Sequence, residues 1–118
     1  MRDYGYDTAG KNKISAEESV ALERLLDIAT TLKTHQGSRV ADVLLAWWNG
    51  EMCGHMDLTT FWNLDDSIVR DLCKVLGIVI NRRVYPDSIG YGNEFRHLVR
   101  LWRPELERME KSRMSGEI

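Results

Sequence analysis

The sequence predicts an all-α fold, a single-domain bundle of four main helices plus one short helix. Apolar residues recur every three or four positions along four separate segments, a spacing typical of amphipathic helices. Helix-capping residues and glycines separate these segments. The 118 residues are 43% hydrophobic and 29% charged, a composition that suits one globular domain with its own core.

Three ranges divide the chain: a polar N-terminal arm over 1–13, a helical domain over 14–111 and a frayed tail over 112–118. No apolar run approaches the roughly 20 residues of a membrane-spanning helix, and the first residues lack the apolar region of a secretory signal. The two cysteines lie in different segments and indicate no disulfide scaffold. We therefore expect a cytoplasmic protein without membrane association.

The first helix begins at a capping box. Ser15 can cap the N–H of Glu18, and the Glu18 side chain can reach back to Ser15. Leucines and alanines at helical spacing extend the helix to about Lys33, before Gln36-Gly37 interrupts it. Because the connection to the next helix is short, we expect the two helices to pack antiparallel.

The second helix, predicted over about 38–49, is expected to be the central helix. Ser38 suits the N-cap, and Gly50 can take the left-handed conformation that ends a helix. Two adjacent apolar stripes cover most of its surface, so several elements should bury it, together with at least one of Trp47 and Trp48. The stripes consist of Val40, Val43, Leu44 and Trp47, and of Ala41, Leu45 and Trp48.

A short helical turn is predicted over 58–62, capped by Asp57, with Leu58, Phe61 and Trp62 directed into the core. The third helix follows from Asp65, with aspartates at its start and arginines at its end, as the helix dipole favours. These end charges and the apolar stripe favour a helix over a strand at the β-branched residues 78–80.

The range 85–92 is the one extended non-helical segment expected inside the domain. Pro86-Asp87 favours a turn at its start. Tyr85 and Tyr91 either cover the core over Trp47 or Trp48, or offer contact area to a partner. The fourth helix follows from Asn93 and breaks where Pro104 suits the start of a new turn.

Arginines at i, i+4 and i+7 form a basic stripe on this fourth helix. The stripe is either a solvated face with salt bridges or a contact for an acidic protein surface or for nucleic-acid phosphates. The tyrosines of the arm likewise lie on the domain surface or bind a partner. The candidate partner-binding residues are therefore Arg96, Arg100, Arg103, Tyr85, Asp87, Tyr91, Tyr4 and Tyr6.

Catalytic and metal chemistry are not indicated. Cys53, His55 and Asp57 alternate in one loop, but a structural zinc site normally needs four ligands, usually as two spaced pairs. A nucleophile made of Cys53 with His55 or His97 would need a lowered thiol pKa and an oxyanion site. We predict no metal, no cofactor and no catalytic residue, with a small hydrolase centred on Cys53 as a low-ranking alternative.

Four strings carry a resemblance: LLAWWN at 44–49, FW at 61–62, YPD-x-x-GY at 85–91 and WRPEL at 102–106. Through them the chain resembles, over about 20–106, an uncharacterised domain of unknown function in short proteobacterial proteins, often from plasmids, prophages and integrated elements. The resemblance implies no activity. It implies a setting in which small proteins often bind and block a host or rival machine.

The leading hypothesis is a non-enzymatic protein–protein interaction protein of mobile-element origin, for example an inhibitor of a multi-subunit host defence complex such as a CRISPR effector. The alternative is a nucleic-acid-binding regulator that uses the basic last helix, although the net charge of −2 does not favour it. Four tryptophans exceed what a core of this size requires, so a tryptophan on the surface would mark an interface.

Overall fold

The computed structural model describes residues 14–31, 34–106 and 108–109, and these residues contain helices and no strand. The all-α prediction is confirmed. The arm over 1–13 and the tail over 112–118 lie outside the described residues. The main α-helices of the described residues are α1 (Ala16–Thr31), α2 (His35–Cys53), α3 (Asp66–Arg82) and α4 (Gly92–Trp102). Two 3₁₀ helices, Leu58–Asn63 and Pro86–Ile89, lie before and after α3, and residues 104–106 are helical as well.

The capping box of α1 is confirmed. Ser15 Oγ accepts from the Glu18 N–H at 3.0 Å, and Glu18 Oε1 accepts from the Ser15 N–H at 2.8 Å. These two bonds satisfy donors that have no partner within the first helical turn. Glu18 also forms an ion pair with Arg82 at the end of α3. The same carboxylate therefore caps α1 and links it to α3.

The helix α2 starts before its predicted first residue and has a kink at its predicted last residue. It begins at His35, because Thr34 takes the N-cap position and its hydroxyl accepts from the Gly37 N–H at 3.1 Å; Ser38 lies inside the helix. The helix kinks at Asn49 and continues to Cys53, and Gly54, with φ +109°, ends it. Ser38 is therefore not the N-cap, whereas the kink at Asn49 falls at the predicted helix end near residue 49, and a further helical turn follows it.

Side-chain pairs give the directions of the first three helices. Arg24 in the middle of α1 donates two hydrogen bonds to Asp71, while Glu18 pairs with Arg82, so α1 and α3 are antiparallel. Gln36 and Asp65, at the starts of α2 and α3, also exchange hydrogen bonds. The second and third helices thus begin at the same end, and α2 is antiparallel to α1, as the short connection predicts.

The fourth helix runs in the direction of α1. Tyr91, just before α4, lies 2.9 Å from Ser19 near the start of α1. At the other end, Trp102 Nε1 donates to the Ala29 carbonyl at 2.9 Å. Through these contacts α1 packs against all three other main helices, whereas α2 packs mainly against α1, α4 and the first 3₁₀ helix. The central position predicted for α2 alone is therefore shared with α1.

The core gathers apolar residues from all four helices and from the second 3₁₀ helix. Among the described residues, no helix combines the length and the apolar composition needed to cross a membrane. The largest fully buried side chains include Leu22, Leu25, Leu44, Leu45, Leu72, Ile78, Ile89, Tyr91, Phe95 and Leu98.

One charged pair lies at the edge of this core. The Asp71 side chain is almost fully buried and accepts from Arg24 Nε and Nη2 at 2.9 and 2.8 Å. These hydrogen bonds hold the pKa of Asp71 below its usual range, despite an opposing effect of burial. Asp57 instead caps the first 3₁₀ helix, where it accepts from the Thr59 N–H at 2.9 Å. Both carboxylates therefore have structural partners.

Candidate functional site

A groove with a volume of about 820 Å³ opens beside the kink of α2, between α2, the last turns of α3 and the segment after α3. We call it the aromatic groove. It brings together two of the strings that carry the resemblance, those at 44–49 and 85–91, although they are far apart in the chain. The side chains that give it its chemistry are Trp47, Trp48, Glu51, His55, Tyr85 and Asp87.

The two tryptophans of the groove are held by the core beneath them. Both contact the buried ring of Phe95 at 5.7 Å between ring centroids, Trp47 edge-on and Trp48 nearly parallel. Trp47 Nε1 also donates to the Val84 carbonyl at 2.9 Å. Half-buried and fixed by these contacts, the tryptophans form rigid walls and confirm the expectation that at least one packs with the core.

The kink of α2 shapes the next part of the groove. Asn49 has extended rather than helical dihedral angles, and its side-chain oxygen accepts from the Met52 N–H at 3.2 Å, which restarts the helix. A Cβ atom on Gly50 would lie 3.0 Å from the His55 ring. Gly50 therefore permits this close approach, and a side chain there would displace the His55 ring by a few tenths of an ångström. The positive φ that we predicted at Gly50 occurs instead at Gly54.

Tyr85 and Asp87 border the groove from the other side. Pro86 and Ile89 are buried and anchor the second 3₁₀ helix, while the side chains of Tyr85 and Asp87 remain exposed. Gly90, with φ +93°, then turns the chain into α4. The predicted turn at Pro86-Asp87 is thus a short 3₁₀ helix, and two of the candidate residues lie together on its outer side.

Tyr91 lies apart from these two residues, inside the core. Its hydroxyl donates to Glu23 Oε2 at 2.8 Å and lies 2.9 Å from Ser19 Oγ. Burial, the largest cause, raises the pKa of Tyr91 to about 12. Of the two roles left open for the tyrosines, Tyr91 takes the structural one.

The arginine stripe divides in the same way. Arg103 turns inward and joins α4 to α2, because it forms an ion pair with Asp42 at 2.9 Å and donates to the Cys53 carbonyl at 2.9 Å. Arg96 and Arg100 are exposed, and neither forms an ion pair with another described residue. The exposed part of the stripe therefore consists of Arg96 and Arg100.

The remaining chemical candidates are isolated. The Cys53 thiol is buried, and this burial raises its pKa, opposite to the shift that a nucleophilic cysteine requires. The described residues include no group of three or more histidine, cysteine, aspartate or glutamate side chains that could hold a metal ion. Both Cys53 and Cys73 are free thiols. Tyr4 and Tyr6 lie outside the described residues.

An exposed surface on the first 3₁₀ helix was missed by the sequence reasoning. Trp62 is 79% exposed and Leu58 is 73% exposed, so the prediction that both face the core is wrong. The prediction assumed α-helical spacing, whereas a 3₁₀ helix has about three residues per turn. At this spacing Trp62 is rotated by about 120° from Phe61, which packs against the core, so Trp62 points away. Leu58, at the first position of the helix, is exposed as well. We call Leu58 and Trp62 the Trp62 surface.

Comparison with known proteins gives a family and no activity. No curated protein and no solved structure matches the chain significantly. A family of unknown function (DUF7673) matches residues 19–103, which contain all four helices except the first three residues of α1. The chain belongs to this family of unknown function, DUF7673.

Proposed function

We propose that the protein is a non-enzymatic interaction protein that binds another protein through the Trp62 surface. The observation that supports this proposal is the exposure of Trp62, together with that of Leu58 at the start of the same 3₁₀ helix. The other three tryptophans are at least half-buried. Tryptophan is one of the residue types enriched among the side chains that dominate the binding energy of protein interfaces.

The fold does not require the indole at this position. The 3₁₀ helix is capped by Asp57 and is attached to the core through Thr60, which is buried, and Phe61, which packs against it. A large apolar side chain in water contributes little to stability, and it promotes unspecific association. The exposure of Trp62 is therefore better explained by a partner than by folding.

The charges near the Trp62 surface favour a different protein over a second copy. Asp57, Asp65 and Asp66 flank the 3₁₀ helix in sequence, with Arg39 as the positive side chain that acts on Asp57. In a two-fold dimer the same acidic side chains would approach each other across the interface. We therefore expect a partner with an apolar pocket for the indole and basic or polar groups around it.

The test compares two exposed apolar side chains. Partners are captured from the native host with the wild-type protein, and the purified partner is titrated by calorimetry. Trp62→Ala should weaken binding about 30-fold, since loss of an interface anchor costs about 2 kcal/mol or more. Ile80→Ala, which removes a side chain that is 66% exposed on α3, should change affinity less than about twofold.

Two results would overturn this proposal. Equal affinity of Trp62→Ala and wild type for the purified partner would place the interface elsewhere. Sedimentation that shows a wild-type dimer and a Trp62→Ala monomer would make the Trp62 surface a contact between copies of the chain.

A narrower form of the proposal is an inhibitor of a host defence complex, the setting that the resemblance implies. Expression of the protein in a bacterium with an active CRISPR system should then restore phage infection, and Trp62→Ala should lose the effect. If immunity against phage is unchanged although the folded protein is fully expressed, the protein is not an inhibitor of that defence system. The broader proposal of an interaction surface is then tested by calorimetry alone.

The nucleic-acid alternative is supported by Arg96 and Arg100, which are exposed and form no ion pair with the described residues. If these arginines contact phosphates, affinity for duplex DNA should fall steeply with rising salt. Absence of binding at low salt would exclude this function.

A further inference from the structure

We propose that the aromatic groove binds an arginine side chain on a segment of a partner protein. This inference goes beyond the interaction proposed for the Trp62 surface, because the two sites share no residue. It depends on three features of the groove: its unpaired acidic groups, its fixed aromatic walls and its size.

The acidic groups of the groove are Glu51 and Asp87. Among the residues that the structure describes, no lysine or arginine lines the groove. The carboxylates of Glu51 and Asp87 form no hydrogen bond and no ion pair with the other described residues, in contrast to Asp42 and Asp71, which each hold an arginine. The groove therefore presents negative charge that the described part of the fold leaves available for a cationic ligand.

Aromatic rings line the same space. Trp47, Trp48 and Tyr85 border the groove, and a cation close to the face of an indole or phenol ring is attracted by the negative potential of the ring. Guanidinium also stacks on aromatic rings and donates two parallel hydrogen bonds to a carboxylate, which an ammonium group does less well. Since Phe95 already fixes both tryptophans, binding requires little additional ordering of these walls.

Arg96 is a basic side chain close to Asp87 of the groove. A Cβ atom on Gly92 would lie 3.2 Å from Arg96 Nη2 and 3.3 Å from Asp87 Cβ, so the two side chains are neighbours. Arg96 nevertheless donates to Asn93 Oδ1 at 3.1 Å and forms no ion pair with Asp87. Its positive charge opposes an incoming arginine, which predicts that removal of Arg96 strengthens binding.

The size and openness of the groove favour a chain segment over a free cation. Its volume of about 820 Å³ accommodates more than one side chain. Tyr85 is 64% exposed, so a cation in the groove stays partly hydrated and gains only a modest aromatic attraction. A peptide segment adds main-chain and side-chain contacts along the groove, which a small ion cannot make.

The test is an NMR titration of the full chain with capped five-residue peptides that differ at one position. The arginine peptide should shift the indole N–H signals of Trp47 and Trp48 with saturable binding. The same peptide with citrulline, which keeps the shape and lacks the charge, should bind at least tenfold more weakly. Methylguanidinium represents the free cation and should also bind at least tenfold more weakly than the arginine peptide.

Variants assign the binding to the groove. Asp87→Asn combined with Glu51→Gln should weaken binding of the arginine peptide about tenfold, as expected for two partly exposed ion pairs. Arg96→Ala should strengthen it about twofold. Trp62→Ala should leave it unchanged, so failure of the groove and failure of the Trp62 surface are separate results.

Three outcomes would overturn the inference. Equal binding of the arginine and citrulline peptides would show that charge is not recognised. Equal binding of methylguanidinium and the arginine peptide would make the occupant a free cation. Absence of shifts at the groove tryptophans up to millimolar peptide, with the protein folded, would show that the groove does not bind arginine.

Discussion

Tyr85 and Tyr91 lie six positions apart and have opposite environments. Tyr85 is 64% exposed beside the aromatic groove, whereas Tyr91 is fully buried. Composition allowed either role for both residues, because a tyrosine suits a core edge and an interface equally well. The 3₁₀ helix Pro86–Ile89 and the left-handed Gly90 decide between them, and this local path is set by tertiary packing at Ile89.

At the residue scale, we expect Tyr91→Phe to lower the free energy of unfolding by about 1–2 kcal/mol. The substitution removes a buried hydroxyl that bonds to Ser19 and Glu23, and such a loss typically has this magnitude. Tyr85→Phe is the matched control, and its effect should stay within about 0.5 kcal/mol. Urea denaturation followed by circular dichroism measures both, and equal stability of the two variants would contradict the assigned roles.

At the element scale, the sequence predicted helix positions better than helix ends. The capping box at Ser15 and Glu18 is local chemistry, and it was predicted correctly. The start of α2 was wrong because Thr34 and Ser38 are both good caps, and only packing selects one. The direction of Trp62 was wrong because apolar spacing alone does not separate a 3₁₀ turn from an α-helical turn.

Two glycines should respond to alanine in opposite directions. Gly54 ends α2 at φ +109°, where a side chain is strained, so Gly54→Ala should cost about 1–3 kcal/mol. Gly77 lies inside α3, and a Cβ atom there would meet only Asn81 Nδ2 at 4.0 Å. Gly77→Ala should therefore stabilise by about 0.5–1 kcal/mol. Chemical denaturation compares the two, and a shift of the same sign in both would contradict the observed backbone at Gly54.

At the scale of the whole molecule, the fold class was predictable and the packing order was not. Amphipathic stripes indicate which faces are buried, and they do not say which helix covers which. The shared centre of α1 and α2 therefore had no signal in the sequence. The aromatic groove could not be predicted for the same reason. Its residues come from two distant segments, which meet because α2 and α3 begin at the same end of the bundle.

Arg103, at the end of α4, connects α4 to α2 through its contacts with Asp42 and Cys53. Arg103→Ala should lower the free energy of unfolding by about 1–3 kcal/mol, because it removes the ion pair with Asp42 and leaves the Cys53 carbonyl without this donor. Arg100→Ala, an exposed position on the same helix, should change it by less than about 0.5 kcal/mol. Thermal and urea unfolding provide the comparison. If Arg103→Ala left the free energy of unfolding unchanged, Arg103 would not be a structural link between the helices and would count again with the exposed arginines of the stripe.

Because the tryptophans are unequally buried, their fluorescence should respond separately to events at the surface and in the core. The Trp62 indole faces water, whereas Trp47 and Trp102 bond to backbone carbonyls and Trp48 stacks on a buried ring. A dissolved quencher such as iodide should reduce the fluorescence of the exposed Trp62 indole first. A bound partner should protect this indole from the quencher. The emission of Trp102 should change only when the core opens, whereas Trp47 and Trp48 should also respond to a ligand in the aromatic groove. One unlabelled sample thus reports occupancy of the surface and integrity of the fold as separate signals.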